Sequence, residues 1–234
     1  MAIKLETSER EQLRTALCST RGRYLGVRAS QLSGVPKSTL YYWAREALLV
    51  PDHYALQPKC WSYRDLVLLR MFSWLRERNM QPADASARVS LVRLRLDAGE
   101  LPEKGIVRSD GRVFLFGNSA VDEATGVQLF ESLVHLVEEF DVMMPIIEEN
   151  GRPSRWRGPN LVRPSEHTAI SPWVLSGEPC VQRTRIPSAS LFALTQERGL
   201  RTADILKLYP VLHPDDVRDA VSFEQSLRHH QAAA

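Results

Sequence analysis

The sequence predicts a mainly α fold with small β elements (α+β): a winged helix-turn-helix, a β-hairpin with an acidic helix, and a small three-helix module. Three observations carry this. Apolar residues recur at helical spacing on both sides of Gly34, Ser109-Asp110-Gly111 separates two β-rich runs, and three short helical patterns close the chain. The expected divisions are a tail over 1–23, the winged helix-turn-helix over 24–100, the hairpin and acidic helix over 101–150, an Arg/Pro-rich linker over 151–166 and the helical module over 167–234.

Ala29 to Ser33 reads as a first short helix, Gly34 as a turn residue free to take positive φ, and Pro36 to Leu49 as a second helix. Leu32, Val35, Leu40, Trp43, Ala44 and Leu48 fall on one side and predict a buried face. The polar remainder holds Lys37, Ser38, Thr39, Tyr41, Tyr42 and Arg45, donors of the kind a helix carries into a major groove. Pro51 ends the second helix, and Asp52 to Cys60 is long enough for a two-stranded wing. Ser62 is the expected N-cap of a third helix, with Asp65 in its positive first turn. That helix, Asp65 to Arg78, is apolar almost all round and must be covered on more than one face, by the winged helix and by another domain or subunit.

Gln81-Pro82-Ala83-Asp84 opens a further helix to about Leu96, closed by Gly99. Ile106 to Arg108 and Arg112 to Phe116 flank the Asp-Gly turn as a hairpin, with Val127 to Phe130 as a third strand. Leu133 to Ile147 is an amphipathic acidic helix; its His135, Glu138 and Glu139 have metal-compatible spacing but lack a second ligand cluster, so no metal or cofactor is expected. Asn150 to Pro164 has the composition of a linker or arm. Beyond it come a strand within His167 to Ile170, a turn at Ser176 to Pro179, and helices over Ser188 to Arg198, Thr202 to Tyr209 and Pro214 to about Leu227.

Charge is distributed unevenly. Residues 1–90 hold 14 Lys+Arg against 8 Asp+Glu, a balance of +6, which leaves −4 for the remainder of a chain whose total is +2. Residues 121–150 contain eight acids and no Lys or Arg, so a polyanion is drawn to the N-terminal part and repelled from the middle. Cys18, Cys60 and Cys180 form no C-x-x-C pair and read as isolated reduced thiols. No apolar run reaches membrane-spanning length and the first residues carry no leader pattern, so a cytoplasmic protein is expected. The absence of phosphate-loop, nucleophile-elbow and zinc-protease motifs argues against an enzyme.

The head resembles the DNA-binding domain of the MerR family, through Gly34-Val35, Thr39-Leu40, Tyr42, Arg45-Glu46 and Leu48-Leu49, followed in matching order by Lys59, Trp61, Ser62, Asp65 and Leu66. Tyr41 stands where the family has arginine, Trp43 where it has tyrosine, and Ala44 and Ala47 where it has Glu and Gly. The resemblance implies DNA binding. Lys37, Ser38, Thr39, Tyr41 and Tyr42 then face base edges or phosphate, while Arg45, His53 and Lys59 neutralise phosphate. Trp43 and Trp61 are expected in the core.

The C-terminal segment resembles a compact domain found in bacterial antitoxins, through Gly177, Pro179, Thr184, Arg185, Ile186 and Pro187, with Arg183 in place of that domain's glycine. Asp215 and Asp216 open its last helix where phosphate needs a positive end, and its seven basic residues balance seven acids, so protein is the expected partner. Head and module together resemble VapB-like antitoxins. That resemblance implies a homodimer that represses its operon at operator DNA and neutralises a PIN-domain ribonuclease toxin. Arginines suit a nuclease's carboxylate cluster, and Arg152, Arg155, Arg157, Arg183 and Arg185, with Trp156, are the candidate toxin contacts. The alternative is a stand-alone MerR-like regulator with a sensing or protein-binding C-terminal module.

Overall fold

Strand β1 (Tyr24–Leu25) runs antiparallel to β2 (Cys60–Trp61), clamping together the two ends of the helix-turn-helix. The computed structural model describes residues 15–55, 58–77, 79–99, 104–108, 113–116, 126–130 and 158–232. The architecture is mainly helical with small antiparallel sheets, as the sequence predicts.

Helix α1 (Gly26–Ser33) begins earlier than the expected Ala29, because β1 passes directly into it from an extended Leu25. Gly34 ends α1 at φ 72°, its N–H returning 2.9 Å to the Ser30 carbonyl. Helix α2 (Lys37–Arg45) stops short of the expected Leu49. Ala47 adopts φ 53°, and the Leu48 and Leu49 N–H groups both fold back on the Trp43 carbonyl, at 2.9 and 3.2 Å. This turn buries Leu49, which a continued helix would have carried away from the core.

A left-handed non-glycine residue costs about 1–2 kcal/mol, partly offset by the entropy that glycine adds to the unfolded chain. Ala47→Gly should therefore raise stability by about 0.5–1 kcal/mol, read as a higher urea midpoint with unchanged slope. An unchanged or lowered midpoint would contradict it.

The segment after α2 that the sequence predicts as a two-stranded wing does not pair with itself as two strands among the described residues. Its returning strand, β2, pairs with β1, and the wing is closed only by an antiparallel bridge between His53 and Cys60. Helix α3 (Tyr63–Glu77) follows, with Tyr63 through Phe72 all buried. Ser62 caps it as expected: its Oγ accepts the Asp65 N–H at 3.1 Å, while Asp65 Oδ2 accepts the Ser62 N–H at 2.8 Å. Around this cap Arg64 grips Asp52 through two bonds of 2.7 and 2.8 Å and Asp97 at 2.6 Å, and Arg93 bonds Asp65 at 2.7 Å. The network ties the base of the wing to helix α4 (Pro82–Asp97).

Burial, with the neighbouring Asp52 charge adding to it, pushes the Asp65 carboxyl up to about 6. Burial opposes the Asp52 charge, but the Arg64 and Ser62 bonds and the nearby Arg93 and Arg64 charges together hold its carboxyl below the usual range. Between about pH 4 and 6 the folded chain thus keeps a proton on Asp65 that the unfolded chain has released. Stability from this group rises as pH falls through that window. Asp65→Asn, which cannot titrate, should flatten the urea midpoint between pH 4 and 6; a wild-type slope in the variant would refute the assignment.

Beyond α4, β3 (Lys104–Arg108), β4 (Val113–Phe116) and β5 (Gly126–Phe130) form an antiparallel sheet in the order β4-β3-β5, with Val107 opposite Val113. The hairpin and third strand match the expectation. The acidic helix over 133–147, with His135, Glu138 and Glu139, lies outside the described residues.

The C-terminal module contains β6 (Thr168–Ala169) antiparallel to β7 (Cys180–Val181), then α5 (Ser188–Phe192), which widens into a π-helical turn over Ala193–Glu197. Helices α6 (Thr202–Leu208) and α7 (Pro214–Ala232) complete it. Val181, Leu191, Ile205, Leu212, Val217 and Ala220 form its own core. Asp219 on α7 pins β6, accepting bonds from Ser165 Oγ, the His167 N–H and Thr168 Oγ1 at 2.6, 3.1 and 3.0 Å.

The expected linker over 151–166 is, from 158 onward, part of the head. Leu161 is completely buried, its carbonyl accepting the Tyr63 hydroxyl at 2.8 Å, and Arg70 bonds both the Leu32 and Pro159 carbonyls. Gly158 makes this approach possible: at φ 85° it passes so close to α1 that a Cβ would overlap the Leu32 carbonyl oxygen. Asn160 Oδ1 then closes a turn on the Val162 and Arg163 N–H groups at 2.8 and 2.6 Å. Ile170, Phe223 and Leu227 join the head's core, so module and head share one apolar interior.

Candidate nucleic-acid interface

Helix α2 divides sharply between its faces. Leu40, Trp43 and Ala44 point inward, with Trp43 tilted on Phe72 at a ring separation of 4.4 Å. Lys37, Ser38, Tyr42 and Arg45 are exposed, and Thr39 is half-buried beside them. Pro36 provides no side-chain cap, so the first N–H groups of α2 remain open at the same end as Lys37 and Ser38. The Arg45 guanidinium lies over the Tyr42 ring at 5.6 Å and pairs with Glu46 at 3.0 Å. Both partners of that pair are well exposed, so it yields readily to a phosphate.

Two of the expected DNA contacts have packing duties instead. Tyr41 is half-buried, its ring set edge-on to Trp61 at 5.2 Å and against the start of α1, where a Cβ on Gly26 would collide with it. The ring fills the space between α1 and β2. His53 is also half-buried and donates from Nε2 to the Gly22 carbonyl at 3.1 Å, fastening the wing to the strand before α1. Lys59 stands on the wing with its Nζ 4.5 Å over the Tyr54 ring.

Arg21, Arg23 and Tyr54 are exposed as well, although no motif in the sequence marks them. Burial alternates from Arg21 to Val27, leaving Arg21 and Arg23 exposed just before β1 and Leu25 exposed within it. The Arg21-Gly22-Arg23 charge was visible in the sequence. Its place beside the wing was not, since β1 and β2 are far apart in the chain.

Of the candidate toxin contacts, Arg152, Arg155, Trp156 and Arg157 lie outside the described residues. Arg183 and Arg185 share one exposed turn after β7, Arg183 at φ 60°, a left-handed conformation that favours glycine. Thr184 holds the turn, donating from Oγ1 to the Val181 carbonyl at 2.9 Å and accepting the Ile186 N–H at 3.0 Å. Arg185 has no ion-pair partner among the described residues, so the turn does not depend on it.

Head and module are locked at α1. Arg28 forks onto Glu224 of α7 at 2.7 and 2.9 Å and reaches Glu178 at 2.5 Å. Burial opposes the guanidinium charge, but the two carboxylates hold its pKa above the usual arginine range. Ser188 Oγ donates to Glu224 Oε1 at 2.5 Å, and the buried Tyr24 hydroxyl donates to the Gly177 carbonyl at 2.9 Å.

Residues 169–223 match a domain family described as a protein of unknown function, DUF433, which covers less than half of the chain. No curated protein matches the chain, and no solved structure does.

Proposed function

We propose that this chain is a homodimeric DNA-binding antitoxin, whose head represses an operon at its operator and whose C-terminal module neutralises a PIN-domain ribonuclease. The observation that carries the DNA part is the outward face of α2, where Lys37, Ser38, Tyr42 and Arg45 stand exposed on a buried, well-anchored helix. The +6 balance of residues 1–90 supports it. The toxin part rests on the resemblance of the C-terminal segment to antitoxin domains, with Arg183 and Arg185 presented on a separate exposed turn. A stand-alone regulator is the second reading, favoured by the Arg28–Glu224 lock, which sets any partner of the module against the first helix of the DNA-binding head.

Fluorescence anisotropy on a duplex from upstream of the chain's own gene, titrated over salt, tests the DNA reading. Lys37→Ala and Arg45→Ala should each weaken binding and shrink the log–log salt slope by about 0.9, the value of one lost phosphate contact. Equal affinity and slope in both variants would exclude α2 as the contact. A neighbouring-gene nuclease, assayed with and without the chain, tests neutralisation; undiminished cleavage favours the second reading.

A further inference from the structure

Helix α4 has two apolar faces, of which the fold uses one. Ala85, Val89, Val92 and Leu96 are completely or almost completely buried on the inner side. At helical periodicity Ala83, Ala87, Ser90, Leu91 and Leu94 fall on the opposite side, and all are exposed. Leu94 remains 65% exposed although β4 packs against this helix.

This outer stripe is graded in size, with alanines towards its N-terminal end and leucines towards its C-terminal end. Laid antiparallel on itself about a two-fold axis near residue 89, the stripe sets Leu94 and Leu91 of one copy over Ala83 and Ala87 of the other. Charge follows the same symmetry. Asp84 and Arg95 lie on the same flank of the stripe at opposite ends, and neither has an ion-pair partner among the described residues. The axis that matches leucine to alanine therefore brings Asp84 to the second copy's Arg95, twice. In a parallel pair the two-fold runs along the helices and carries this flank to the opposite side of the contact, so Asp84 would not meet Arg95 and neither charge would be paired.

We infer that the outer face of α4 is an isologous docking surface for a second copy of this chain, paired antiparallel with it. The inference takes from the proposed function only that the chain pairs; DNA binding is read separately. A 16-residue helix is about 24 Å long, so the contact is modest and the dimer dissociates on dilution.

Sedimentation velocity of the full chain over a concentration series should show a monomer–dimer equilibrium. Leu94→Glu, at a position already exposed in the monomer, should weaken pairing at least about a hundredfold without lowering the melting temperature. Asp84→Arg and Arg95→Asp should each weaken it about tenfold, and the double swap should restore it. In a Cys18→Ser background, Ser90→Cys near the axis should give an oxidised dimer and Leu94→Cys, about 15 Å from its mate, should not. A wild-type monomer at all concentrations, a dimer indifferent to Leu94→Glu, a double swap no better than the singles, or cross-linking by Leu94→Cys would each overturn the inference. None of these readings uses DNA, so loss of the DNA-binding proposal leaves them intact.

Discussion

Arg28→Ala should destabilise the chain by about 3–5 kcal/mol, the cost of stranding one member of a buried ion pair. Glu224 is 2% exposed, and its two oxygens are satisfied by the Arg28 fork and by Ser188. Without the guanidinium its charge faces one hydroxyl and apolar Phe223 and Leu227 neighbours in sequence on the same helix. Water cannot reach it unless α7 lifts from α1. Glu178, at 32% exposure, contributes less because solvent already screens it. The urea midpoint of Arg28→Ala checks the size of the loss, and a loss below about 1 kcal/mol would mean that α7 relaxes away from α1 at little cost. The double variant Arg28→Met, Glu224→Met provides the control. It removes both charges while keeping volume, and should be much closer to wild type than Arg28→Ala.

Gly177→Ala should cost on the order of 3 kcal/mol, from two separate causes. At φ 95° an L side chain is strained, and the added Cβ would overlap the Tyr24 hydroxyl. Tyr24 is 1% exposed and burial pushes its phenol above the ordinary range, so it is neutral and depends on the Gly177 carbonyl as its acceptor. Displacing the ring leaves that hydroxyl unsatisfied. Tyr24→Phe alone should cost about 1 kcal/mol, the usual worth of one such bond. Combined with Gly177→Ala it should cost less than the sum of the single losses, since the hydroxyl bond is lost only once and the closest overlap goes with the oxygen, although the added Cβ still meets the ring Cζ at 2.5 Å. Strict additivity, measured by urea unfolding of all three variants, would show that backbone strain alone sets the Gly177 cost.

Local chemistry explains what was legible. Gly34, Ser62 with Asp65, Pro82, Gly99, Thr202 and Pro214 mark helix ends because capping and φ preferences act within a few residues, and the helices follow them closely. The exposed donors of α2 were readable for the same reason, as the periodicity that buries Leu40 and Trp43 turns Lys37 and Arg45 outward. The length of α2 was misread because Ala47 gives no sign of a left-handed turn. Tyr41 and His53 looked like free surface donors, yet their partners Gly26, Trp61 and Gly22 come from segments that no pattern in the sequence joins to them.

By itself the sequence determined the mainly helical class, the helix pair joined at Gly34, the antiparallel strands over 104–116 and the order of the C-terminal helices, each set by periodicity and turn chemistry over a short stretch. Only the tertiary structure decided that 158–162 is core rather than linker, and that α7 locks onto α1 through Arg28 and Glu224, 196 residues apart. An arginine that neutralises a buried glutamate has no local signature. Its partner is chosen by which surfaces exclude water together, and that is fixed only when the whole chain packs.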